Sequence, residues 1–151
     1  MSTSPTHPEL GAGWLLGAVH RHIRSRWAER IRAYDVTPPQ AAALRALASA
    51  PGLSLRELAR QIEAEPINLS RTLEPLEERG LVCREPRPND RRAHALVLTP
   101  RGLDLAASLT AAAAEFEHEL ATLLDPGFDQ TVAWLHRALA TLRTSEPSQP
   151  G

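Results

Sequence analysis

The chain contains no lysine: all 17 of its basic residues are arginine, set against 18 acidic residues for a net charge of −1. GC-rich codon usage accounts for the missing lysine without invoking any chemistry. The neutral total excludes attraction to a polyanion by bulk charge, so any such contact has to come from local placement. A single cysteine, Cys83, excludes an intramolecular disulfide and suits a reducing cytoplasm. Aromatic residues make up 4% of the chain, so its core must be built from Leu, Ala and Val. Long apolar runs are missing too. The stretch 14–19 is far too short to span a bilayer and lacks the basic flank of a secretion signal, so a cytoplasmic protein is expected. The eight glycines are scattered singly, leaving no loop to cradle a phosphate, and no nucleophile–base pairing is visible. These absences argue against an enzyme, and no cofactor is expected.

What is present is strongly ordered. At 151 residues the chain suits one domain plus added helices, and such a size buries roughly 70% of its unfolded surface. Fifteen of the arginines lie between Arg21 and Arg101, whereas residues 102–151 hold two arginines against seven acids. Residues 1–8 and 145–151 are rich in Ser, Pro and Thr, show no apolar period and read as frayed tails.

Between the tails, periodicity predicts six helices and one hairpin. A first helix over 10–33 buries Leu16, Val19, Ile23, Trp27 and Ile31 at spacings of three and four. A second opens at Thr37-Pro38-Pro39-Gln40, where Thr37 caps, Pro38 takes the first turn and Gln40 closes a capping box. Ser54-Leu55-Arg56-Glu57 is another capping box, starting a short helix with Leu55, Leu58, Ala59 and Ile62 inward. Pro66 starts a fourth helix that stops at Gly80, anchored by Leu69, Leu73 and Leu76. Residues 81–85 and 93–98 read as strands around a turn at 86–90. Thr99-Pro100 caps a long alanine-rich helix to about residue 124, and Asp125-Pro126 opens a last helix with Val132, Leu135, Leu139 and Leu142 on one face.

A short helix, a tight turn and a longer polar helix make a helix-turn-helix, whose second helix suits a DNA major groove. On it, Ile67, Asn68, Ser70 and Arg71 face outward; Asn68 could read adenine, Arg71 could bridge guanine O6 and N7, and Ser70 could reach a base or phosphate. Four arginines, Arg84, Arg87, Arg91 and Arg92, crowd the hairpin, and arginine on a narrow tip suits a minor groove. Asp90 fits there as the carboxylate that fixes an arginine fork, although a turn aspartate bonding its own backbone also fits. The full DNA-facing set is Ser54, Arg56, Ile67, Asn68, Ser70, Arg71, Arg87, Asp90, Arg91 and Arg92. Pro75 inside the reading helix removes a hydrogen bond to the Arg71 carbonyl and predicts a bend. Glu65, Glu74 and Glu85 near the same face would repel phosphate.

The order of these elements, with Leu76-Glu77-Glu78-Arg79-Gly80-Leu81-Val82, Asp90-Arg91-Arg92 and Leu98-Thr99-Pro100-Arg101-Gly102, resembles the MarR family of bacterial transcription regulators over residues 10–142. The resemblance implies a mainly α winged helix-turn-helix with a two-stranded antiparallel β-wing. Residues 36–102 would form the reading domain, and 9–35 with 103–144 the dimerisation helices. It further implies a triangular homodimer on a palindromic operator, in which Asp90 orients Arg92 in the wing. Family members commonly take small phenolic or anionic effectors, and by that analogy Trp14, His20, Arg24 and Trp27 are pocket candidates, though core tryptophans and a solvated arginine are an equal reading. Cys83 reads as a small wing residue, because redox-sensing relatives place their cysteine in the first helix. Glu115 and His118 have Glu-x-x-His spacing in one copy only, so no metal site is expected. The leading expectation is an effector-released repressor; the alternative is a winged-helix protein-interaction module that never touches DNA.

Overall fold

A computed structural model of the chain describes residues 10–145, with the backbone only at residues 91–93. The element order is α1 (Ala12–Ile31), a 3₁₀ turn (Arg32–Tyr34), α2 (Pro38–Ser49), α3 (Leu55–Gln61), α4 (Pro66–Glu78), β1 (Val82–Arg87), β2 (Asp90–Leu98), α5 (Pro100–Leu123) and α6 (Phe128–Ser145). This is the mainly helical, winged architecture with a two-stranded antiparallel sheet that the pattern of elements calls for. The residues fall into two compact units, the first ending at Ala112 and the second beginning at Ala113.

Local signals set the helix ends. Thr37 and Gln40 form a reciprocal box: the Thr37 N–H donates to Gln40 Oε1 at 2.9 Å, and the Gln40 N–H to Thr37 Oγ1 at 3.4 Å. Ser54 and Glu57 repeat it on α3, at 2.7 Å and 3.3 Å. At the end of α4, the Gly80 N–H donates to Glu77 O (3.0 Å) and the Leu81 N–H to Leu76 O (2.9 Å). That is a Schellman stop, made possible by the positive φ of 66° at Gly80.

In the first unit, Leu44 and Leu47 of α2, Leu58 of α3, Leu69, Leu73 and Leu76 of α4, Leu96 of β2 and Leu109 of α5 are fully buried around Ile31. The anchoring stripe of α4 is therefore as the spacing requires. Along α1 the stripe is covered only at its C-terminal end. Ile31 is buried and Trp27 packs on the core, but Leu16 is 42% and Val19 51% exposed.

Two expectations shift. The strands are longer and the turn shorter, since pairing continues through Pro86↔His94 and Arg87↔Asp90. Pro86 is tolerated because in a two-stranded ribbon its missing N–H can face away from the partner. Helix α6 starts at Phe128 and not at Pro126, because Gly127 sits at φ 110°, outside helical space. Helix α4 runs unbroken through Pro75 to Glu78, and the Thr72 carbonyl, one turn before the proline, receives the Gln40 side-chain amide of α2 at 3.5 Å. Cys83 lies in β1, its thiol 3.6 Å from Val97 O.

Candidate nucleic-acid interface

The face of α4 opposite its buried leucines carries the proposed readers. Ile67, Asn68 and Arg71 are exposed and Ser70 is half-buried. Ile67 is 66% exposed, an aliphatic side chain in water at the start of a helix otherwise well anchored. Pro66 at the first position of α4 leaves the helix N-terminus without an unsatisfied N–H there and presets its φ for the helix. Glu65 is the residue before it, and Glu65 and Glu74 are both exposed on this helix, with Glu85 exposed on β1.

Helix α3 packs on α4 and holds the first half of the motif. Ser54 is occupied as its cap, while Arg56 is exposed. Glu57 closes the same box, and its carboxyl is held far below the usual 4.5, at about 2. The Ser54 N–H is the main cause, followed by the Ser54 hydroxyl and then the Arg87 guanidinium.

The wing is fastened by the arginines of its first strand. Arg84 donates from Nε and Nη2 to Glu77 Oε1 of α4, at 3.0 and 2.9 Å. Arg87 donates from Nη2 to the Glu57 carboxylate of α3 and, at 2.9 Å, to the Gly52 carbonyl. A further tie joins β2 to the segment before α3: Leu96 N–H donates to Leu53 O at 2.8 Å, and Gly52 N–H to Leu96 O at 3.3 Å. Neither the Leu53 bridge nor the glutamate partners of Arg84 and Arg87 came from the sequence. The partners lie 7 and 30 residues away, and only Glu57, already singled out as a capping residue, offered a hint.

At the tip the ladder slips. Between Pro86↔His94 and Arg87↔Asp90, β1 advances one residue and β2 four, so residues 91–93 are surplus to the pairing. The side chains of Arg91 and Arg92, and with them the Asp90–Arg92 pairing, lie outside the described residues.

Of the four ligand candidates, Arg24 lines an open cleft of about 570 Å³ together with Arg21, Ser25, Ala28, Thr37, Pro38 and Pro39. Trp14 and His20 are exposed elsewhere on α1, and Trp27 packs on the core. Arg21 joins Arg24 there because the two are three residues apart on one helical face. A neighbouring cavity of about 420 Å³ shares Ala28, Thr37 and Pro38 and extends to Gln40, Pro75 and Arg79. Among the described residues no group of three or more His, Cys, Asp and Glu is placed to hold a metal ion, and no helix is long and apolar enough to cross a membrane.

Residues 36–94 match the model of the MarR family. The chain is similar to the HTH-type transcriptional repressor Rv2887 of Mycobacterium tuberculosis, 34% identical over 94 residues that make up 62% of this chain and 68% of that one. Among solved structures it is similar to the transcriptional repressor CouR bound to a 23-mer DNA duplex, with a TM-score of 0.78, 26% identity and coverage of 95% of this chain and 99% of that one. The Mycobacterium tuberculosis MarR-family protein Rv2887 in complex with salicylic acid gives a TM-score of 0.67 at 27% identity, over 85% of this chain and 96% of that one.

Proposed function

The chain belongs to the MarR family and is a DNA-binding transcription regulator, not an enzyme; from that premise we propose that it is a homodimeric cytoplasmic repressor of a palindromic operator, released by a small anionic effector. The observation that carries the reading is the α4 face, where Ile67, Asn68 and Arg71 stand exposed over a stripe of fully buried leucines. A rigid helix presenting an aliphatic, an amide and a guanidinium side chain matches the chemistry of major-groove base edges: a thymine methyl for Ile67, adenine for Asn68, guanine for Arg71. Ser70 reaches a neighbouring base or phosphate, Ser54 and Arg56 grip the backbone from α3, and Arg91 and Arg92 enter the minor groove with Asp90 orienting Arg92. Residues 36–102 form the reading head, and 9–35 with 103–144 the dimerisation helices.

The test is a titration against a duplex of the gene's own upstream intergenic region and a scrambled duplex, at two salt concentrations. Tight, salt-sensitive binding to the first alone is expected. Arg71→Ala should cost about 1–3 kcal/mol on that duplex and much less on the scrambled one. An equal loss on both would reduce Arg71 to a phosphate contact.

A homodimer is supported by the apolar surface that one chain leaves in water: Trp14, Leu15, Leu16 and Val19 on α1, and Trp134, Leu135, Leu139 and Leu142 on α6, each at least 40% exposed. Patches of this kind are normally covered by a partner, and a second copy makes a palindromic target natural.

For the effector, the Arg21–Arg24 cleft offers two guanidiniums beside Ala28 and two prolines, a setting for a carboxylate on a small apolar body. It borders Thr37 and Pro38, and Gln40, which caps that same turn, also donates to the Thr72 carbonyl of α4. An occupant that shifts the α2 N-terminus thereby shifts the reading helix, which is the population change release requires. With salicylate as probe, operator affinity should fall about tenfold in the wild type and stay unchanged in Arg24→Ala. Equal release in both proteins would move the site elsewhere.

A further inference from the structure

We propose that Arg87 is not a DNA contact but the strut that sets the angle of the wing, through a clasp in which its guanidinium joins the Glu57 carboxylate and the Gly52 carbonyl across the base of α3. This reassigns one wing arginine and rests on the reading of α4 and the wing as the DNA-facing surface.

The geometry already commits one end of the Arg87 guanidinium. Its Nη2 is shared between Glu57 Oε2 and the Gly52 carbonyl, which lies at 2.9 Å, and its side chain is 32% exposed. Glu57 is itself immobilised, because Oε2 accepts the Ser54 N–H at 2.7 Å while the Glu57 N–H is bound to Ser54 Oγ. The clasp therefore ends on a helix start and not on a loose side chain. Gly52 is fixed from the other direction by its N–H on Leu96 O. Arg87 is also the last residue of β1, where the register slips, so holding it determines where the surplus residues 91–93 emerge. A charge-assisted pair between a guanidinium and a fixed carboxylate orients its arginine as well as attracting it. Arg84 on Glu77 does the same for the root of the strand, leaving the wing tied to α4 at its base and to α3 near its tip. Two arginines of the hairpin, Arg84 and Arg87, thus position the wing.

The carboxylate keeps its charge in strong acid, to about pH 2, while in the unfolded chain it protonates near 4.5. The stabilisation it supplies is consequently complete above pH 4.5 and disappears as pH falls from there towards 2.

The experiment compares Glu57→Gln, Arg87→Gln and the double variant on the upstream duplex. Glutamine at position 57 preserves the capping box, so the start of α3 survives while the ion pair is lost. Each single variant should weaken specific binding about fivefold, the double variant no further, and the slope of log K against log salt should be unchanged. A slope reduced by about 0.9 in Arg87→Gln alone is the signature of a phosphate contact and would overturn the proposal, as would additive losses or no loss. A second readout needs no DNA. The carboxyl ¹³C signal of Glu57, followed by pH, should titrate at higher pH in Arg87→Gln than in the wild type. An unmoved midpoint would refute the clasp whatever the duplex does, whereas failure of the wild type to bind DNA would refute only the reading beneath it.

Discussion

Gly102→Ala should cost the protein about 3 kcal/mol or more and lower its melting temperature by roughly 10 °C, although the change adds a single methyl group. A Cβ built at Gly102 lies 2.0 Å from Leu81 O and 3.0 Å from Leu81 C, both backbone atoms. That carbonyl cannot step aside. It accepts the Thr99 N–H at 3.1 Å, the Thr99 hydroxyl holds the adjacent Gly80 carbonyl at 2.7 Å, and the Leu81 N–H closes the Schellman stop of α4. Thr99 Oγ1 in turn accepts the Gly102 N–H at 3.1 Å, capping α5. The end of α4, the root of the wing and the start of α5 therefore meet at one point that has no room for a side chain. Gly80→Ala is the informative comparison. Nothing lies within 4 Å of its Cβ position, so its cost is only that of a left-handed backbone at φ 66°, about 1–2 kcal/mol. Chemical denaturation of both variants separates the two effects. A Gly102→Ala loss no larger than that of Gly80→Ala would mean that α5 simply re-seats itself.

Leu139→Arg should turn the proposed dimer into a monomer and lower operator affinity by about two orders of magnitude. Leu139 is 40% exposed in the single chain, so a cation there leaves the fold of one chain undisturbed but cannot be buried against a second copy. Each reading head alone makes half the contacts, and losing the link between heads forfeits the effective concentration that makes the pair tight. Sedimentation equilibrium measures the first effect and the duplex titration the second, with circular dichroism to check that helix content is retained. A variant that remains dimeric would place the interface off this face of α6. Retained affinity in a true monomer would mean that one head suffices.

The reading of the helices from sequence succeeded where the determinants are close together. The Thr37–Gln40 and Ser54–Glu57 boxes, the Pro66 start and the Gly80 stop each act within a few residues, and the structure has every one in place. The leucine stripe of α4 was legible for the same reason. Along α1, periodicity marked Leu16 and Val19 as inward, and a single chain leaves them exposed; amphipathicity says that a face wants cover without saying what covers it. Among the pocket candidates, analogy brought in Arg24, which lines the cleft, but not its neighbour Arg21.

By itself, then, the sequence determined the order of elements, the helix ends that carry a capping box, a first-turn proline or a glycine stop, the outward face of α4 and the family, because hydrogen-bonded caps and a 3.6-residue period are written in adjacent positions. Only the tertiary structure decided that Arg87 belongs to Glu57, that Leu53 pairs with Leu96, and that Gly102 must be bare beneath the Leu81 carbonyl. Those are contacts between residues 21 to 43 positions apart, and no local rule assigns a partner across such a distance. An arginine in a list of wing arginines looks like every other until packing shows which of them already has a carboxylate.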